Sequence, residues 1–386
     1  MANRFASRLS LLYGAFFLYA GLSLPFMPVW FAAKGLDARE IGIVLAVPLA
    51  VRVIVVPLAT RAADRFSLVR PALVAASVGS VGGLMLVGLN SGFLAILLSF
   101  ALAAAAIAPV LPLADAYALR GLKDRVRSYG PIRLWGSVTF ILANLGGGTV
   151  LAWLGAGDVI WAVVAALALN AAAAFALAPL PPDPPDPAEA PTAGVPVWRA
   201  PGFAAVALGA GLIQASHAVL YGFATLQWEA RGIDGLAIGA LWAIGVIAEV
   251  GLFACSGRLI AWLGAPGTIA LGGFGGLVRW TAMAFDPPTA TLPFLQVLHA
   301  LSFAATHLGT MHFLARAAPA GRGATAQGDV SALQGIVFAA AMSLSGLLVA
   351  AHGNFAYAAM AAASAIGALL AVSAVGLTRR APGKES

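Results

Sequence analysis

Apolar runs of about twenty residues recur from one end of this chain to the other, each closed by charge, Pro or Gly. A helix needs about 20 residues to cross a hydrocarbon core of about 30 Å. Candidate spans fall near 9–32, 39–60, 68–89, 92–119, 131–153 and 158–179, then near 202–228, 235–257, 267–285, 290–315, 328–350 and 353–378. Backbone polar groups in lipid find no water, so runs of this length must satisfy their own hydrogen bonds as helices. The expected fold class is all-α integral membrane, with twelve transmembrane helices.

Composition excludes the soluble alternatives. Hydrophobic residues make up 61% of the chain and charged residues 10%, and the mean hydropathy is +0.92, beyond what an aqueous fold can bury. The net charge of +7 comes from Lys and Arg scattered between apolar runs, whereas nucleic-acid binders gather them on one face. A nucleic-acid partner is therefore not expected. One cysteine, Cys255, rules out an intramolecular disulfide framework and a Cys-based metal cluster. Arg4 and Arg8 precede an apolar stretch long enough to span, which reads as a retained first helix rather than a signal peptide. No nucleotide, zinc or nucleophile motif stands out, so neither an enzyme nor a cofactor is expected. The glycines near 146–148 and 272–276 read as close-packing helix surfaces.

Orientation follows from the loops. Arg4, Arg8, Arg61, Arg65, Arg70, Arg120, Lys123, Arg125, Arg127, Arg258, Arg316, Arg322, Arg379, Arg380 and Lys384 fall on one side, and only Lys34, Arg39 and Arg231 on the other. The positive-inside rule then places both termini in the cytoplasm of a bacterial-type inner membrane. The Pro-rich stretch 181–200 carries Asp183, Asp186, Glu189 and Arg199. It reads as a cytoplasmic linker between six-helix bundles at 1–180 and 201–386. A repeat supports that division: Lys34-Gly35-Leu36-Asp37 with Ile41-Gly42 returns as Arg231-Gly232-Ile233-Asp234 with Ile238-Gly239, at a constant offset of 197. The same offset carries Arg61 onto Arg258 and Arg52 onto Glu249, as in folds built from two related halves.

An ionisable group at bilayer depth costs roughly 2.5 to 3.5 kcal/mol on insertion scales, so each needs a partner or a wet cavity. Such groups are Arg52, Asp115, Arg133, His217, Glu249, Arg279, His299 and His307. In the seventh span Gln214, His217, Tyr221, Thr225 and Trp228 share one helix face. That stripe could line a cavity or form an interhelical hydrogen-bond seam; the cavity is the expectation. Trp242, Glu249 and Ser256 make a second stripe in the eighth span. Glu249 is the expected proton carrier, unless it forms a permanent ion pair with Arg279. Asp115 could equally be neutralised by Arg52 or Arg133, and His307 and His312 read as packing or interfacial residues. Pro25, Pro28, Pro109 and Pro112 are expected to kink the first and fourth spans.

Several segments then carry a family likeness. Tyr129-Gly130-Pro131-Ile132-Arg133-Leu134-Trp135-Gly136-Ser137, Gln214-Ala215-Ser216-His217 with Tyr221-Gly222-Phe223, Leu241-Trp242 with Ala248-Glu249-Val250, Val278-Arg279-Trp280 and Leu298-His299 resemble the major facilitator superfamily. Within it they resemble the 3-phenylpropionic acid transporter family, related to lactose permease and nucleoside permeases. The resemblance implies that Glu249, Arg279 and His299 match the buried carboxylate, arginine and histidine of substrate binding and proton coupling in lactose permease. It departs at Ser302, where lactose permease has a second carboxylate, and at the loop signature, where Thr60-Arg61 and Asp64-Arg65 lack the leading Gly.

The resulting expectation is a monomeric, proton-driven symporter of a small aromatic carboxylate, working by alternating access at the interface of its halves. Glu249, His299, Arg279 and Asp115 would couple the proton. Arg52, Arg133, Gln214, His217, Tyr221, Trp228 and Trp242 would bind substrate. A nucleoside or sugar permease is the alternative, and a non-transporting membrane sensor a more distant one.

Overall fold

The structure, a computed structural model, describes residues 2–122, 129–180, 200, 202–318 and 323–379. The expected linker, apart from Ala200, lies outside them, as do Lys123, Arg125, Arg127, Arg199, Arg322, Arg380 and Lys384. Among the described residues there are helices and no strands. In chain order they are α1 (Ala2–Ala33), α2 (Ala38–Arg65), α3 (Val69–Leu89), α4 (Phe93–Ile107), α5 (Val110–Leu122), α6 (Tyr129–Leu154) and α7 (Val159–Phe175). There follow α8 (Phe203–Ala215), α9 (Ala218–Ala230), α10 (Gly235–Ala254), α11 (Ser256–Ala284), α12 (Leu292–Val297), α13 (Thr306–Ala317), α14 (Gly323–His352) and α15 (Tyr357–Arg379).

Nine helical stretches among these residues are long and apolar enough to cross a membrane, against twelve expected spans. The difference has physical sources. At 17 residues, α7 falls below that length. The expected tenth span is cut into α12, a π-helical turn at Ala300–Ala305 and α13. The last two expected spans run together as one stretch, Ala326–Val375, through a 3-10 turn at Gly353–Ala356. Prolines behave unequally. The helix α1 runs on through Pro25 and Pro28, whereas the fourth expected span is interrupted between Ile107 and Val110, at Pro109.

By its contacts the chain divides into two compact units: Met1–Pro184 with Tyr221–Ala243, and Pro185–Leu220 with Ile244–Ser386. The division passes through α9 and α10 as well as the 181–200 stretch. The first unit packs α1 against α6 and α7, around a core of Leu9, Tyr13, Leu73, Leu113 and Tyr117. In the second, α11 packs on α15 and α13, with Val206, Ile213, Ile269 and Phe313 inside. Large apolar side chains such as Ile54, Leu89, Trp153 and Leu369 face outward, a surface made for lipid rather than water.

The internal repeat folds twice into the same turn. Leu36 N–H donates to Phe31 C=O and Gly35 N–H to Ala32 C=O; 197 positions on, Ile233 N–H donates to Trp228 C=O and Gly232 N–H to Glu229 C=O. Both glycines hold positive φ, 84° and 75°, the left-handed helix-ending geometry that a side chain resists. The following Asp then starts the next helix: Asp37 accepts from Glu40 N–H and Asp234 from Ala237 N–H.

Apart from Gly146, the glycines of the two Gly-rich segments make close-packing surfaces, as expected. A Cβ on Gly148 of α6 would lie 1.7 Å from the carbonyl oxygen of Gly235 at the start of α10, and one on Gly276 of α11 would lie 2.5 Å from Ser364 Oγ. Gly146 has open space around it. Gly148→Ala should therefore destabilise the protein by about 1–3 kcal/mol through overpacking, read as a lower melting temperature in detergent. Gly146→Ala should leave that temperature within error of the parent.

Candidate functional site

Two helix irregularities build the buried centre of the second unit. The seventh expected span breaks at Ser216 and His217, between α8 and α9, and the tenth passes through the π-helical turn at Ala300–Ala305. Single π turns inside α-helices re-aim side chains and recur at functional sites. Ser216 is fully used at the break. Its hydroxyl donates to Ile213 C=O and accepts from Trp280 Nε1 at 2.8 Å and from the Ser364 hydroxyl at 2.9 Å. Tyr357 stacks on Trp280, with ring centroids 5.7 Å apart.

Beside this knot Arg279 is fully buried. Its Nη2 donates to Gln296 Oε1, Nη1 lies 2.9 Å from His299 Nδ1, and the guanidinium sits 4.5 Å from the Trp280 ring centre. His299 Nε2 in turn lies 2.9 Å from Glu249 Oε1. A guanidinium can only donate, so Nδ1 must accept, the ring proton sits on Nε2, and Nε2–H donates to Glu249. His299 is therefore neutral in this arrangement, and the charges of Arg279 and Glu249 are joined through it. Phe303 stacks on the imidazole at 5.3 Å and His217 meets it edge-on at 5.0 Å.

His217 belongs to the same cluster. Its Nδ1 faces the Gln214 carbonyl at 3.0 Å and its Nε2 the Ser302 hydroxyl at 3.0 Å. A carbonyl only accepts, so Nδ1 carries the proton. Gln214 Nε2 donates to Phe303 C=O.

In the first unit, Asp115 Oδ1 accepts hydrogen bonds from Tyr13 at 2.5 Å and Tyr129 at 2.7 Å. Arg133 lies over the rings of Phe17 and Tyr13, at 4.0 and 5.5 Å from their centres. Among the described residues no carboxylate forms an ion pair with Arg133, one of the two arginines offered as neutralising Asp115; it rests instead on aromatic faces. Trp242 Nε1 donates to Thr225 Oγ1 at 3.1 Å, and Tyr221 and Trp228 pack on Trp242 at 6.0 and 6.1 Å.

The stripe Gln214, His217, Tyr221, Thr225 and Trp228, expected to wall a cavity, is mainly a packed seam. His217, Thr225 and Trp228 are buried, and Gln214 and Tyr221 keep partial exposure. Arg52 is exposed on α2 and joins neither charged cluster. Sequence reasoning missed Gln296, Phe303 and Tyr13, and named Ser216 and Trp280 only within the family-like segments. A signal existed for Gln296, three residues before His299 and so on its helix face.

A family model, the MFS_1 like family, matches residues 6–359. The chain belongs to that family. Among curated relatives, the "Probable 3-phenylpropionic acid transporter" of Escherichia coli (strain K12) is 29% identical over 368 residues, covering 90% of each chain. The "Maltose permease" of Geobacillus stearothermophilus is 29% identical over 289 residues, covering 72% of this chain and 71% of that one. Solved structures share the fold. The nucleoside transporter NupG superposes with a TM-score of 0.78 at 16% identity, over 97% of this chain and 99% of that one. A bacterial homologue of the human lysosomal transporter Spinster, inward-facing and occupied, gives 0.72 at 15% identity, over 97% and 96%. The major facilitator resemblance is thus borne out: this family member is a multi-pass inner-membrane transporter of small molecules, not an enzyme.

Removing one member of a buried charge network leaves its partner uncompensated, at about 3–5 kcal/mol. Arg279→Met should therefore lower the detergent melting temperature strongly, whereas Arg279→Met combined with Glu249→Gln should recover a large part of the loss. Additive losses in the double variant would show that His299 does not link the two charges.

Proposed function

We propose that this family member is a proton-coupled symporter of a small aromatic carboxylate. On this reading the polypeptide crosses the membrane twelve times as two six-helix halves joined by 181–200, acts as a monomer with both termini cytoplasmic, and exposes its site to each side in turn. The observation that carries the reading is the chain Arg279, His299, Glu249. A carboxylate inside a low-dielectric bundle pays heavily to stay charged, so Glu249 is suited to take up and release a proton. Arg279 holds the lone pair of His299 Nδ1. A substrate carboxylate that drew the guanidinium away would free Nδ1 to accept a proton, and the imidazole would then give its Nε2 proton to Glu249. Substrate and proton would then favour each other's binding.

The kinship of the phenylpropionic acid relative supports an aromatic acid, as does Arg133 lying on Phe17. A neutral nucleoside or sugar is the second reading, favoured by the engagement of Arg279 with Gln296 and His299.

Glu249→Gln is expected to abolish uphill accumulation in vesicles under an imposed proton gradient while preserving exchange of pre-loaded substrate; full accumulation would refute the proton assignment. For the substrate, Arg133→Gln should raise the KM for phenylpropionate about 10- to 100-fold, the worth of a lost charge-assisted hydrogen bond. Competition that follows nucleosides or maltose, with phenylpropionate inert, would establish the second reading instead.

A further inference from the structure

The second unit holds a cavity that the buried charge chain does not use. It has a volume of about 600 Å³ and lies between the first residues of α11 and one face of α13 along its length. There α11 begins as a short segment, Ser256–Leu263, set off by Gly264 at φ 65° and ψ 178°. On the facing wall Leu308, His312 and Arg316 line the cavity. Spaced four apart, they lie on one face of α13 and grade from apolar to cationic over about 12 Å, at about 1.5 Å rise per residue.

Ile260 faces them from the short segment, where Arg258 is exposed and Trp262 is 82% exposed. An outward indole beside arginines is the mark of a membrane–water interface. Among the described residues no carboxylate lines the cavity or pairs with His312 or Arg316. Volumes of this size suit a small-molecule ligand. A free inorganic anion would use only the basic end, whereas the wall continues as an apolar track.

We propose that this cavity binds one anionic glycerophospholipid of the adjacent leaflet, its phosphate on His312 and Arg316 and an acyl chain along Ile260 and Leu308. The site is independent of the substrate chemistry above, and its occupancy is read without transport.

The test uses the full-length purified protein, delipidated and titrated with phosphatidylglycerol or phosphatidylcholine under native mass spectrometry. The parent should retain one phosphatidylglycerol with about 5-fold preference, the scale of one basic group acting on an anionic lipid. Arg316→Glu should lose that preference, while Arg61→Glu, an equal charge change on the first unit, should keep it. A diazirine-bearing phosphatidylglycerol added to the parent protein should crosslink to the α13 peptide holding Leu308 and His312, a readout that stands if Arg316→Glu fails to fold. Unchanged preference in a folded Arg316→Glu, or crosslinks confined to other helices, would overturn the proposal. So would displacement of the lipid by millimolar inorganic phosphate that alone raises the melting temperature as far, which would make the ligand a soluble anion.

Discussion

A guanidinium cannot be neutralised by losing its proton under any ordinary condition, so an arginine sealed inside a membrane bundle must be given partners. Arg279 is such a residue, and much of the second unit is arranged around it. Gln296 takes one amino group, His299 another, and Trp280 offers its face. Two of these partners are fixed by further contacts: Trp280 by Ser216 and Tyr357, His299 by Glu249 and Phe303. The network thus joins α8, α10, α11, the π-helical turn and α15 through one buried charge.

The helix breaks follow from the same demand. A regular helix hides its backbone carbonyls, leaving little for a buried side chain to bind. The break at Ser216 and His217 sets the Gln214 carbonyl against the His217 ring, and Phe303 in the π-helical turn offers its carbonyl to Gln214. Polar side chains close the backbone groups that the breaks expose, which is how irregular backbone survives at membrane depth. Two departures from ideal geometry therefore complete each other's hydrogen bonding, and together they aim two imidazoles at one another.

The class of fold was legible because length and apolarity are coarse signals that lipid makes decisive. The repeat around Gly35 and Gly232 was legible too, since a left-handed turn followed by an Asp cap needs particular residues at particular places. Glu249, Arg279 and His299 stood out as charge in oil, and the structure brings them into one chain. The breaks did not show, because 214–218 and 298–306 contain neither Pro nor Gly; tertiary hydrogen bonds, not local propensity, hold them open. Pro25 and Pro28 lie inside one continuous helix, whereas Pro109 lies at an interruption. The stripe of Gln214, His217, Tyr221, Thr225 and Trp228 was correctly placed on one face, but periodicity cannot say whether a polar face meets water or other polar groups. Trp242 and Ser302, remote in sequence, decided that.

Ser302 also bears on how a proton could move. Where lactose permease carries a second carboxylate, the resemblance leaves this chain a hydroxyl, and that hydroxyl faces His217 Nε2. A serine cannot store a proton at any working pH; it can only relay a hydrogen bond. Among the described residues, Glu249 is then the acidic member of the second unit's buried cluster, and its contact with Arg279 runs through an imidazole whose own proton position depends on that arginine. On the proposed reading, substrate binding and proton binding meet at one ring nitrogen, His299 Nδ1. In the first unit Asp115 is held by two phenols instead, contacts that tie α1, α5 and α6 together beside Arg133. Each unit thus has its own polar centre: in the first, Arg133 rests on aromatic faces beside Asp115 and its two phenols, and in the second, Arg279 reaches Glu249 through His299.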